Sequence, residues 1–143
     1  MPAVHECRYH VQPTDIDDQG HVNNLEYLKW MQTAAVEHSA VQGWPPERYV
    51  EEGSAWVVRS HWIEYQQPAF EGDEIVVRTW VANFKKVLSL RKFQIERPAD
   101  NTILAIAETN WAYIGTKHRV PRRIPKELIE AFEVIESLPT ADE

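Results

Sequence analysis

Residues 14–28 read TDIDDQGHVNNLEYL and gather three aspartates, a histidine and two asparagines around Gly20. A glycine among such residues favours a tight turn, because it adopts backbone conformations that other residues avoid. A helical pattern begins at Asn24, so the free amides and the positive dipole end of a helix lie beside these acids. An ionised carboxylate in this position can attack a carbonyl that the amides polarise, or activate water toward it. The pattern indicates a hydrolytic site in outline.

Two other interpretations of this stretch stay open. Counted from Asp15, the acids and the glycine fall near the ligand positions of an EF-hand calcium loop, with Glu26 at the twelfth position. That motif needs a helix entering the loop, whereas the incoming segment alternates as a strand and ends at Pro13. The other alternative is a purely structural turn, with the asparagines capping the helix that follows.

Hydrophobic periodicity predicts the elements on either side of the turn. Residues 5–12 alternate as a half-buried strand, and residues 24–42 show the spacing of one long helix that stops before Gly43. Asn23 is expected to cap that helix, and Glu26 is expected to complete a capping box.

The remainder of the chain is predicted to be mainly extended. A short helical turn is expected in PPERYVEEG, and a second amphipathic helix is expected over residues 126–138. Four strands separated by turn residues are predicted, near residues 54–66, 74–83, 87–97 and 103–114. The order of these elements predicts an α+β layer arrangement.

Length and composition restrict the class of protein. The 143 residues, 43% of them apolar, predict one domain over residues 1–143. A net charge of −7 argues against nucleic acid as a partner. No run approaches the roughly 18 apolar residues of a membrane span, and the first residues lack a signal-peptide core, so a cytoplasmic protein with no membrane partner is expected. One cysteine and six histidines without close ligand spacing predict neither a disulfide nor a metal, and no cofactor is expected.

Four segments together resemble a known family. The turn DIDDQGHVNN, the helix NLEYLKWMQTAAVEHSAV, the PAFEGD turn and the closing RVPRRIP resemble the hotdog-fold thioesterases of the 4-hydroxybenzoyl-CoA thioesterase type. The HVNN form is also similar to plant acyl-ACP thioesterases. The resemblance covers nearly the whole domain and implies a hotdog fold, an antiparallel five-stranded sheet wrapped around one long central helix. It further implies hydrolysis of an acyl-CoA or acyl-ACP thioester, and a homodimer or homotetramer with sites between subunits.

The same resemblance implies roles for individual residues. Asp17 corresponds to the catalytic carboxylate, while His21 and Asn24 correspond to polar residues beside the thioester. The backbone amides of Val22, Asn23 and Asn24 correspond to the oxyanion site. Whether Asp17 acts as nucleophile or as general base stays open.

Cations are concentrated between Lys117 and Lys126, where five Lys and Arg residues occur without an acid. Taken alone, this run is equally well a solvated turn. If the ligand is coenzyme A, its phosphates are expected to contact a basic set consisting of Lys85, Lys86, Lys117, Arg119, Arg122 and Arg123.

Alternatives to hydrolysis also stay open. The same fold serves non-catalytic acyl-thioester-binding modules and hydratases or dehydratases, in some of which a helix acid is catalytic; Glu37 is the candidate for that role here. Trp30, Trp56 and Trp62 are candidates to line an acyl or aryl pocket, although ordinary core packing explains each of them equally well.

Overall fold

The computed structural model describes residues 3–138 of the chain. Its helices and strands, in chain order, are β1 (His5–His10), α1 (Asn24–Val41), α2 (Pro46–Glu52), β2 (Ser54–Tyr65), β3 (Glu74–Lys85), β4 (Leu88–Arg97), β5 (Thr102–Gly115), β6 (Val120–Pro121) and α3 (Lys126–Glu130). The five long strands and the long helix confirm the sequence prediction, with every boundary within two residues of the expected one.

The strands form one antiparallel sheet that curls around α1. The strand order is β1-β3-β4-β5-β2, and the two-residue β6 adds to the end of β5. The sheet packs against α1 through fully buried side chains such as Met31 and Ala34 on the helix and Ile75 on β3. The small Ala34 and Ala35 let the helix approach the sheet closely, which a curved sheet around a central helix requires.

Asn23 caps the start of α1 as predicted, but the second contact of the predicted capping box, from Glu26, is not formed. The Asn23 side-chain oxygen accepts a hydrogen bond from the Leu25 amide at 2.9 Å. The predicted capping box is wrong, because the Glu26 carboxylate instead contacts Lys29 at 3.2 Å. The Asn23 amide, which the box would have satisfied, donates to the Asp15 carbonyl at 2.8 Å.

The second predicted helix is much shorter than its hydrophobic pattern suggested. It ends at Glu130, not near residue 138. Phe132 is buried in a second core cluster, and the Ile135 amide donates to the Val81 carbonyl at 3.2 Å, beyond the part of β3 that β1 covers. Pairing with this open stretch of strand replaces the helical hydrogen bonds that the local pattern favours.

The two ends of the sheet carry different candidate functional residues. The end nearest the 14–28 stretch is called the turn end and is formed by Tyr65, Glu74, Arg97 and Thr102. The opposite end is called the basic end and is formed by Ser54, Lys85, Leu88 and Gly115. Since β3 has 12 residues, the two ends lie roughly 35 Å apart along the strand.

Among residues 3–138, no helix combines the length and the hydrophobicity that crossing a membrane requires.

Candidate active site

The turn between β1 and α1 is closed by its own backbone. The Asp17 amide donates to the His21 carbonyl at 2.9 Å, and the Gly20 amide donates to the Asp17 carbonyl at 3.1 Å. Gly20 has a φ of 83°, a left-handed conformation that residues with a Cβ rarely adopt. A bridge between Ile16 and Val22 flanks the turn. The five residues from Asp17 to His21 therefore form a tight, defined loop.

This loop brings the Asp17 carboxylate beside the His21 imidazole. The Asp17 Oδ2 and His21 Nδ1 atoms are 3.5 Å apart, and the two side chains are 28% and 32% exposed. The other carboxylate oxygen of Asp17 accepts a hydrogen bond from the Gln19 amide at 2.9 Å. The Asp17 carboxylate is thus held by the Gln19 amide, and the His21 Nδ1 atom also lies 3.3 Å from the Val22 carbonyl oxygen. Both side chains remain open to an incoming ligand.

Only part of the predicted oxyanion site is available. The Val22 amide donates to the Ala69 carbonyl at 2.9 Å, and the Asn23 amide donates to the Asp15 carbonyl. These two amides fasten the turn to neighbouring backbone, so their assignment to an oxyanion site is corrected. The Asn24 amide meets no acceptor within the described part of the chain, and it lies in the first turn of α1, where the helix dipole favours negative charge.

Tyr65 is a neighbour of this helix start that the sequence did not indicate. Its hydroxyl donates to the Asn24 carbonyl at 3.1 Å, and its ring packs against the edge of Tyr27. Tyr65 ends β2, and its contact with the helix depends on how the sheet curls. No local pattern around residue 65 signals that contact.

The structure does not bring the candidate calcium ligands of this loop together. Asp15 is 6% exposed, and its carboxylate accepts hydrogen bonds from the Tyr9 hydroxyl at 2.9 Å and from the Gln12 amide at 2.8 Å. The chain enters the loop from β1 through a short 3-10 turn, without the entering helix of an EF-hand. In the described residues, the acids of this loop do not form a group of three close ligand atoms.

Another group of three potential metal ligands does come together, between β1 and α1. The ligand atoms of His5, Cys7 and Glu37 lie within 4.8 Å of one another. Glu37 accepts from Cys7 at 3.3 Å and lies 3.1 Å from the His5 imidazole. Burial and the adjacent Glu37 raise the pKa of the Cys7 thiol to about 12, so the thiol is protonated at neutral pH. Sequence spacing missed this trio because Glu37 comes from a different element.

Glu37 does not belong to the Asp17 site. It follows Asn24 by 13 positions on α1, which places it about 20 Å away along the helix axis. Its carboxylate is engaged with His5 and Cys7. Within one copy of the chain Glu37 is therefore too far along α1 to act beside Asp17, and its candidacy as a catalytic helix acid stays a prediction.

The predicted phosphate-binding residues come together at the basic end of the sheet. The Ile124 amide donates to the Lys86 carbonyl at 2.9 Å, which joins the β3–β4 turn to the 117–123 segment. All six side chains of the basic set are exposed. Arg122 differs from the others because its Nη1 donates to the Glu52 carbonyl at 2.8 Å. It therefore also has a structural role.

A cavity of about 620 Å³ opens near the same end. Trp56 lines it, as predicted for one of the three candidate tryptophans. Trp30 instead lies in the core between α1 and the sheet, and Trp62 is 49% exposed on β2. The buried Arg91 also lines the cavity, and no pattern in the sequence indicated this position.

The arrangement around Asp17 is suited to attack on a polarised carbonyl. A carboxylate is held next to an imidazole, and the Asn24 amide lies at the positive end of an 18-residue helix. Serine and cysteine nucleophiles are not part of the turn, whose sequence is DIDDQGHVNN. Asp17 is therefore the candidate for chemistry at this site, acting directly or through water.

Comparison with known proteins identifies a family for the chain. The family described as Acyl-ACP thioesterase N-terminal domain matches residues 2–132 of the chain. A relative in Aquifex aeolicus (strain VF5), provisionally named an esterase, is 26% identical over 133 residues, which cover 93% of this chain and 99% of the relative.

Two solved structures illustrate the similarity in fold. A 1,4-dihydroxy-2-naphthoyl-CoA thioesterase from Synechocystis has a TM-score of 0.82 at 19% identity, covering 90% of this chain and 94% of its own. An acyl-ACP thioesterase from Bacteroides thetaiotaomicron has a TM-score of 0.84 at 20% identity, covering 99% of this chain and 56% of its own. These similarities confirm the predicted hotdog fold. Because the family match extends over residues 2–132, the chain belongs to the family of the acyl-ACP thioesterase N-terminal domain.

Proposed function

We propose that the protein is a thioester hydrolase that cleaves an acyl-CoA or acyl-ACP thioester to the free acid and the thiol. The observation that supports the proposal is the Asp17 carboxylate, which lies 3.5 Å from His21 in the loop that leads into α1. At the start of that helix the Asn24 amide makes no hydrogen bond within the described residues. Membership of a thioesterase family supports the same reaction.

The residues act on the thioester in distinct roles. The Asn24 amide polarises the carbonyl and stabilises the oxyanion that forms on it. Asp17 attacks the carbonyl carbon, or removes a proton from the water that does so, and the thiolate leaves. His21 orients the carboxylate. This limited equipment suffices because a thioester carbonyl is weakly stabilised by resonance and a thiolate is a good leaving group.

The positions of Asp17 and the basic set favour a site shared between two copies of the chain. Within one copy they lie at opposite ends of the sheet, roughly 35 Å apart along β3. A phosphopantetheine arm does not span that distance between the thioester and its nearest phosphate. The basic set of one protomer therefore binds the phosphates of a substrate whose thioester lies at the Asp17 of its partner.

The free edge of β2 provides a way to build such a dimer. This strand pairs with β5 on one side, and its other edge has no partner strand within residues 3–138. It is 12 residues long and exposes Val58, Trp62 and Tyr65, features of an edge that pairs with another chain. Two copies related by a two-fold axis pair antiparallel, so the Ser54 end of one protomer lies beside the Tyr65 end of its partner. That arrangement brings the turn end of one sheet next to the basic end of the other.

A thiol-release assay over a panel of acyl-CoA and acyl-ACP substrates tests the function. Asp17→Asn is expected to lower turnover by about 10² or more, a size typical of losing a general base. Asp18→Asn is the matched control, since it removes a neighbouring carboxylate in the same loop and is expected to keep near-normal turnover. Near-normal hydrolysis by Asp17→Asn would remove Asp17 from the mechanism.

The same panel separates the alternatives. A non-catalytic binding module retains acyl thioesters without releasing thiol, and a hydratase adds water to an enoyl-CoA without cleaving the thioester. Either result with the wild-type protein would overturn the proposed hydrolysis.

A further inference from the structure

Arg91 is a buried cation whose partners are all neutral. The side chain is 6% exposed on β4. Its Nη1 atom is 2.9 Å from the His38 Nδ1 atom and donates to the Thr79 hydroxyl at 3.0 Å. Burial, together with the nearby Arg91 charge, lowers the pKa of His38 to about 3, so His38 is neutral at physiological pH. No aspartate or glutamate pairs with Arg91 among residues 3–138.

Arg91, which lines the cavity at the basic end of the sheet, has donors that no protein group in residues 3–138 uses. Nη1 is used by His38 and Thr79, whereas Nε and Nη2 make no hydrogen bond within the described residues. Arg91 lines the cavity together with apolar side chains that include Trp56, Val81 and Phe132. The guanidinium therefore presents part of its planar fork to an otherwise apolar space.

Most other polar side chains on the cavity wall are already engaged, although the Trp111 indole N–H is buried without a partner and the Thr116 hydroxyl makes no hydrogen bond within the described residues. The Ser39 hydroxyl bonds the Trp44 carbonyl at 2.8 Å and the Tyr49 hydroxyl at 2.7 Å, and Tyr49 also accepts from the Trp56 indole. The Ser89 hydroxyl donates to the Asn83 carbonyl at 2.9 Å. A polar group entering the cavity consequently finds its best partner at Arg91.

The charge of Arg91 selects the sign of that polar group. Burial lowers its pKa to about 10, which still leaves the guanidinium protonated at neutral pH. A buried cation without a charged partner is energetically unfavourable, and binding of an anion next to it offsets that cost. A carboxylate matches the guanidinium fork in shape as well as charge.

We propose that this cavity is a binding site for a carboxylate carried on an apolar body, with Arg91 as the anion partner and the aromatic walls holding the apolar part. Its volume of about 620 Å³ is within the range of small-molecule sites. Two sources carry this chemistry: a free monocarboxylic acid, and an acyl thioester whose far end bears a second carboxylate.

The first arm of the test measures direct binding and does not require hydrolysis. Trp44, Trp56 and Trp111 line the cavity, so intrinsic tryptophan fluorescence reports on its occupancy. Decanoate is expected to bind the wild-type protein at least about tenfold more tightly than decan-1-ol, the size of effect expected for one charge-assisted pair. Equal affinity of the acid and the alcohol in the wild-type protein counts against the proposal without any variant.

Variants assign the effect to Arg91. In Arg91→Met the preference for the acid is expected to disappear, and in Arg91→Lys it is expected to weaken, since the charge stays but the fork is lost. Lys92→Met is the matched control, because Lys92 is the next cation on β4 and lies 3.9 Å from Glu108 on the opposite face. It is expected to keep the wild-type preference.

The second arm distinguishes the two sources and alone rests on the proposed function. It compares hydrolysis of decanedioyl-CoA with that of decanoyl-CoA, in wild type and in Arg91→Met. A wild-type preference for the dicarboxylyl thioester that Arg91→Met loses supports a substrate carboxylate at Arg91. A preference confined to the first arm supports the free acid. Absence of an Arg91-dependent preference in both arms overturns the proposal, whereas loss of hydrolysis alone bears only on the proposed function.

Discussion

The Tyr9 hydroxyl donates a hydrogen bond to the Asp15 carboxylate at 2.9 Å, which ties β1 to the start of the turn that carries Asp17. The same carboxylate oxygen accepts from the Gln12 amide at 2.8 Å. Asp15 and Asp17 are only two residues apart, yet one is buried in hydrogen bonds and the other is open to ligand. We therefore expect separable roles for the two acids, with Asp15 contributing to stability and Asp17 to the proposed chemistry.

Asp15→Ala is expected to destabilise the protein by about 2 kcal/mol, because it leaves the Tyr9 hydroxyl and the Gln12 amide without their acceptor. Asp17→Ala is the matched comparison and is expected to cost less than about 1 kcal/mol, as its side chain is partly exposed. Urea denaturation followed by tryptophan fluorescence measures both. An equal loss of stability in the two variants would contradict the division of roles.

Lys117→Ala and Arg123→Ala are each expected to raise KM for an acyl-CoA about threefold or more with little change in kcat, since a phosphate contact far from the carbonyl contributes to binding and not to the chemical step. The KM of the wild-type protein is expected to rise with added salt, because these side chains are exposed and their attraction to phosphate is screened. Arg8→Ala on β1 removes a cation outside the basic set and serves as the control. A wild-type KM that is indifferent to salt would count against phosphate contacts by the basic set.

A subunit-mixing experiment tests the shared site. Asp17→Asn and the double variant Lys117→Glu/Arg123→Glu are each expected to have low activity with acyl-CoA. When they are co-expressed, half of the dimers are mixed, and each mixed dimer contains one site with both parts intact. Recovery to about one quarter of wild-type activity is expected for two-fold dimers. If each protomer holds a complete site of its own, mixing restores nothing.

The edge of β2 can be examined separately by sedimentation. Trp62→Lys places a charge on the exposed face of that strand and is expected to shift the protein toward monomer. Loss of activity in step with dimer content would agree with a site between protomers. Full activity from a monomer would contradict it.

Stability is expected to fall on acidification because of His38. Its pKa is lowered to about 3 in the folded protein by burial and by Arg91, with His5 stacked on the ring at a centroid distance of 5.4 Å. The unfolded chain, in which His38 has its ordinary pKa near 6.5, binds this proton more readily. The free energy of unfolding therefore decreases as the pH falls from about 6.5 toward 3, by up to about 1.4 kcal/mol per pH unit. Urea denaturation at several pH values measures the slope, and His38→Gln is expected to reduce it.

The sequence predicted the elements whose residues alternate or repeat within one segment. The strands and α1 follow from hydrophobic period, and the Asn23 cap follows from residue type, because both depend on local geometry. The α3 prediction failed beyond Glu130 because the Ile135 amide pairs with the distant Val81 carbonyl. The local spacing of hydrophobic residues does not indicate a tertiary hydrogen bond of this kind.

The candidate site was predicted in the same uneven way. Asp17 and His21 meet because they are four positions apart in one tight loop, which is a local relationship. The fate of the Val22 and Asn23 amides was not predictable, since their acceptors are set by the fold around the turn. Arg91 was overlooked because an arginine within a strand usually faces solvent, and only the curl of the sheet shows that this one is buried.

The hydrogen bond from the Val22 amide to the Ala69 carbonyl makes the position of the Asp17 loop dependent on the connection between β2 and β3. Connections of this kind ordinarily accept insertions and deletions as homologous proteins diverge. Here an added residue within 66–73 would shift the anchor and carry the Asp17 carboxylate away from the start of α1. Under the proposed function, selection on catalysis extends to the length of this connection between two strands that are not neighbours in the sheet, so homologous chains can vary its composition more freely than its length.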